Sequence, residues 1–146
     1  MPIPGFADGG CLPPGIHECT LAEVAERFGR FERSSVRQTL TEKLVVFAGE
    51  ARASNVVVWL GIDGSYITAK HEPNDIDLVL VLSASHNYAA DLQPHVYNVV
   101  SRRRVRKRYD FDIFAAPENS PALDEHLAFF QQTRDRKPKG LLKVVL

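Results

Sequence analysis

The segment GSYITAKHEPNDIDLVLVL, Gly64 to Leu82, holds a Gly-Ser turn, nine intervening residues, and Asp75-Ile76-Asp77 at the head of an apolar run. Side chains alternate across a strand, so Asp75 and Asp77 share one face while Ile76 turns to the other, into a core. Two carboxylates so placed can hold one metal ion together. A glycine at the preceding turn lets backbone N–H groups approach a phosphate closely. The combination points to metal-assisted chemistry on a nucleoside triphosphate.

Working outward, Asn55 to Ile62 is a continuous β-branched and aromatic run, as in a strand buried on both faces. It delivers the chain to Asp63-Gly64-Ser65, where Asp63 reads first as a turn residue or N-cap. A short turn or helix over 66–70 and a loop with Pro73 and Asn74 lead to a second strand, Ile76 to Leu82. Upstream, Val36, Leu40, Leu44, Phe47 and Ala51 recur at three- and four-residue steps and predict an amphipathic helix over 35–53. Thr20 and Glu23 have capping-box spacing, with a short helix ending at Gly29. The Pro- and Gly-rich residues 1–19 read as an extended surface arm, followed by a single domain over 20–146.

Downstream, Asp91 is placed to cap a helix through Leu92, Val96 and Val99, with a basic run at its far end: Arg102, Arg103, Arg104, Arg106, Lys107 and Arg108. Tyr109 to Phe114 predicts a third strand, Ser120-Pro121 opens a terminal helix, and Leu141 to Leu146 closes the chain as a strand. Helix-length elements between strands predict an α+β fold, a mixed β-sheet with helices packed against it.

The 146 residues suit one domain, and the formal charge of zero leaves no whole-molecule field toward nucleic acid or a membrane surface. Cys11 and Cys19 are too few for a disulfide scaffold, so a reducing cytoplasm is the expected setting. MPIPGFADGG lacks the basic start and apolar segment of a signal peptide, and no apolar stretch approaches the roughly twenty residues of a membrane helix.

Transfer to or from a triphosphate needs carboxylates for magnesium and a backbone cradle for the phosphates. Asp75 and Asp77 supply two ligands. Asp112, between Phe111 and Ile113 on the later strand, is the third choice and the candidate general base, with Asp110 as runner-up. A third carboxylate would allow a second magnesium ion about 4 Å from the first. Lys70 is a candidate for a phosphate, against the plain alternative of a solvated lysine. The 102–108 run fits either a triphosphate or RNA backbone or a solvated helix end favoured by the helix dipole.

Gly64-Ser65, the nine-residue gap, Asp75-Ile76-Asp77 and Asp112 together resemble the signature of the polymerase-β-type nucleotidyltransferase superfamily. In size the chain is similar to the minimal nucleotidyltransferases that act as antitoxins beside helical ribonuclease toxins. It also resembles, over nearly its full length, a bacterial family of unknown function with this core. The matching pieces there are Leu12 to His17, Gly64-Ser65, 73–77, Phe111 to Ala115, and Phe129-Phe130-Gln131 through Lys139-Gly140. The resemblance implies a minimal nucleotidyltransferase fold, with Gly64 and Ser65 at the triphosphate and Asp75, Asp77 and Asp112 on magnesium. It implies transfer of a nucleoside monophosphate, AMP from ATP, to a hydroxyl of a toxin partner or an RNA. Ile67-Thr68-Ala69 stands where Ala-Arg-Gly is usual in those proteins, and Asn74 stands where Ser is common. The competing readings are a non-catalytic interaction protein on the same fold, and an RNA-binding protein using 102–108.

Overall fold

The computed structural model describes residues 3–7, 9–74, 76–85 and 92–146. Asp75, the first expected metal ligand, and Asp91, the expected helix cap, lie outside the described residues.

Local chemistry starts and stops each element. The Thr20 side chain accepts from the Glu23 N–H while the Glu23 carboxylate accepts from the Thr20 N–H, which opens α1 (Leu21–Val24). This helix passes into a π-helical turn at Ala25–Gly29. Ser34 caps α2 (Ser35–Ser54), and Asn55 closes it in the left-handed conformation, φ 59°. The expected single helix after residue 91 is two, α3 (Pro94–Val100) and α4 (Arg102–Tyr109). Ser101 breaks them apart: its backbone is extended and its hydroxyl accepts from the Arg104 N–H, so it caps a new helix. The basic run is therefore α4 itself.

Among the described residues five strands make one sheet: β1 (Gly15–Cys19), β2 (Val57–Asp63), β3 (Asp77–Leu82), β4 (Asp112–Pro117) and β5 (Gly140–Val145), in the order β1-β5-β2-β3-β4. β1 runs parallel to β5 and β3 parallel to β4, while β2 is antiparallel to both its neighbours. The fold is thus α+β with a mixed sheet. The stretch read as a surface arm supplies β1, and Leu12 just before it is 2% exposed. Tyr109 ends α4 rather than opening a strand, and Asp110 caps it at φ 62°, with an ion pair to Lys43 at 3.5 Å. The runner-up carboxylate is therefore not on β4.

Strand alternation sorts side chains into two layers. Leu78, Leu80 and Leu82 join the larger core with Val24, Leu44, Phe47, Val99 and Val105 of α1 to α4. Val79 and Val81 join a smaller cluster with Leu123 and Phe130 of α5 (Pro121–Phe130) on the opposite face. Each such leucine contributes about 1.5–3 kcal/mol on burial. Ile76 is fully buried in the larger core, as the alternation requires. No helix among the described residues is long and apolar enough to cross a membrane.

Candidate functional site

Three aspartates stand in a row across adjacent strands. Asp63 pairs with Asp77 between β2 and β3, and Asp77 pairs with Asp112 between β3 and β4. Directly paired residues share a face of the sheet. Two residues along from them, Val79 and Phe114 belong to the smaller core, so the row lies on the α5 side.

Asp63 is neither a turn residue nor an N-cap. Its side chain is 3% exposed, and Lys139 Nζ donates to both carboxylate oxygens at 2.9 Å. Burial pushes the Asp63 carboxyl above the ordinary aspartate range; the Lys139 charge and hydrogen bond and the Gly64 N–H pull against it. Sequence reasoning missed Lys139 as chemistry. Its only signal was membership of the Lys139-Gly140 pair.

Gly64 has φ 92° and ψ −178°, a region that side chains avoid. A Cβ there would stand 3.1 Å from the Asp77 nitrogen and 3.5 Å from its carboxylate. Gly64 thus lies directly on the metal-ligand candidate. The turn continues through a 3-10 segment, Ser65–Ile67, and Thr68 donates through its hydroxyl to the Ser65 carbonyl at 2.7 Å. From α2, the fully buried Arg37 guanidinium fastens this loop. It donates to the carbonyls of Tyr66 (2.5 Å), Thr68 (2.7 Å) and Lys70 (2.5 Å), and also to Phe28 (3.3 Å). Arg37 lies three residues before Leu40, on the same stripe as Leu44 and Phe47, and that spacing was its available signal.

Gly64, Ser65, Lys70, Asp77 and Asp112 line one cavity of about 530 Å³, together with Arg134 and Lys139. This cavity therefore gathers the described first-choice residues, whereas Asp110 and residues 102–108 are not among those that line it. Arg106 holds Asp112 Oδ1 at 2.8 Å. Among the described residues no group of three His, Cys, Asp or Glu forms a metal-binding cluster. The described part of the expected ligand set, Asp77 and Asp112, offers carboxylate oxygens only, which suits magnesium.

Within α4 the cations are largely committed. Arg102 lies over Phe114, Arg104 over Tyr97, and Arg108 bonds to Glu50. Arg103 and Lys107, one turn apart, border a separate cavity of about 480 Å³ beside Tyr97.

These features define an α+β protein with a carboxylate row and a glycine turn at the end of a mixed sheet. Residues 4–145 match the Family of unknown function (DUF6932), and the chain belongs to it. No curated protein and no solved structure matches the chain significantly.

Proposed function

We propose that the chain is a magnesium-dependent nucleotidyltransferase of the minimal nucleotidyltransferase fold, moving AMP from ATP to a hydroxyl of a protein or RNA acceptor. The observation that carries this reading is the shared cavity: Asp77 and Asp112 lie in direct register beside a glycine turn whose missing Cβ leaves room at the Asp77 carboxylate. Aspartates at a glycine turn with cations around them match the needs of a triphosphate and its metal.

Asp77 and Asp112, with Asp75, would hold magnesium. A magnesium ion held by these residues would supply neutralisation of phosphate oxygens and polarisation of the α-phosphoryl group. The space left by Gly64 and the backbone at Ser65 would take the phosphate tail, and Lys70 and Arg134, which line the same cavity, would supply the positive charge that the missing Arg of the turn would have given, the Lys139 charge being held by Asp63. Arg106 holds Oδ1 of Asp112, so the other oxygen, Oδ2, would serve both as a magnesium ligand and as the acceptor of the attacking hydroxyl's proton. The acceptor oxygen bonds to the α-phosphorus, the bond from that phosphorus to the bridging oxygen breaks, and pyrophosphate leaves.

With labelled ATP, magnesium and candidate acceptors, Asp77→Ala and Asp112→Ala are each expected to lower label transfer by about a hundredfold or more. Transfer that survives either substitution overturns the assignment. Calorimetry that finds no ATP binding at millimolar concentration favours the interaction protein instead.

A further inference from the structure

A second cavity, of about 810 Å³, shares Asp77, Thr133, Arg134 and Lys139 with the first but is not lined by Gly64 or Ser65. Its volume suits a small-molecule subsite. Its other walls are Asp63, at the end of β2, and Phe129, Phe130, Gln132 and Arg136, from the end of α5 and the connection to β5.

Phe129 is 71% exposed, the most exposed of the large apolar side chains among the described residues, although the smaller core lies beside it. Its ring meets Phe130 edge to face at 5.1 Å, and Phe130 meets Phe114 at 4.9 Å, so the exposed ring is held by a chain of aromatic contacts. The connection after α5, which lines the same cavity, is hydrogen-bonded to itself. Thr133 N–H donates to the Lys137 carbonyl at 2.8 Å, Arg136 N–H to the Thr133 carbonyl at 2.9 Å, and Lys139 N–H to the Gln131 carbonyl at 2.9 Å. An aromatic ring open to solvent, lining one cavity with a pre-formed polar and cationic loop, is what a flat heteroaromatic ring with a phosphate attached requires.

We infer that this second cavity receives the base of the donor nucleotide, stacked on Phe129, while the triphosphate occupies the cavity beside Gly64. The inference rests on the nucleotidyl-transfer reading and adds to it the element that selects the nucleotide: the loop 131–139 takes the place of a separate base-binding domain.

Calorimetry of the full chain with magnesium, using ATP and inorganic tripolyphosphate as separate probes, tests it. Wild type is expected to bind ATP more tightly than tripolyphosphate. Phe129→Ala should weaken ATP by roughly tenfold, in line with the loss of one stacked base, and leave tripolyphosphate unchanged. Phe129→Tyr, which keeps the ring, should keep the ATP affinity. Unchanged ATP binding by Phe129→Ala overturns the base site and leaves the transferase reading standing, and so does equal weakening of both probes. Failure of wild type to bind either probe overturns both.

Discussion

A carboxylate as deeply buried as Asp63 is costly to ionise, and Lys139 with two hydrogen bonds is what makes its charge tolerable. Removing the ammonium alone leaves an uncompensated buried charge, so Lys139→Met is expected to lower stability by about 3–5 kcal/mol. Asp63→Asn combined with Lys139→Met should recover a large part of that loss. The sign with pH follows from the direction of the shift. Because the folded-state pKa of Asp63 lies above the ordinary 3.8, the folded protein holds that proton more tightly, and stability from this group is lost as pH rises through the folded value. Without Lys139 the shift upward grows, so the gap between Lys139→Met and wild type should narrow on acidification from about pH 7 to about pH 5. Urea denaturation across that range measures it; a gap that widens refutes the account. Nothing local in the sequence announced this pair, because its members are 76 residues apart. Asp77 and Asp112 were legible, since each opens an alternating run whose neighbours must be buried.

At the level of elements, strands and helices followed the periodicities, and the misreadings fell at their joints. Ser101 and Asp110 were read through as helix and strand, yet each had a cap's chemistry: a hydroxyl for a free N–H, and a short polar side chain tolerant of positive φ. The start of β5 carries a sharper constraint. Gly140 donates its N–H to the Leu12 carbonyl at 3.0 Å, and a Cβ there would fall 2.1 Å from the Pro13 carbonyl oxygen and 2.8 Å from the His17 ring. Gly140→Ala must push the N-terminal segment off β5, at an expected cost of about 1–3 kcal/mol. A lowered urea midpoint by circular dichroism is the readout, and an unchanged midpoint would show that the backbone yields freely. Position 140 also follows Lys139, so the same strain would disturb the ion pair to Asp63.

For the whole molecule, β1 closes one side of the sheet, and the residues before it are tied inward. Phe6 packs on Phe28 and Phe31 at 6.1 and 5.7 Å, and Arg27 donates to the carbonyls of Ile3 and Pro4. A chain lacking residues 1–19 would expose β5 as a bare edge and uncover core side chains. Such a truncation is expected to aggregate or to melt at a markedly lower temperature, as gel filtration and thermal melting would reveal; a monomer with the melting point of the full chain contradicts this. By itself the sequence determined the α+β class, the position of most elements, and the face on which Asp77 stands, because periodicity, caps and alternation act over a few residues. Only the tertiary structure decided that Asp63, Asp77 and Asp112 are neighbours, that Lys139 neutralises the first of them, and that Arg37 fastens the glycine loop. Those facts depend on strand order, register and burial across distant segments, which no local pattern encodes.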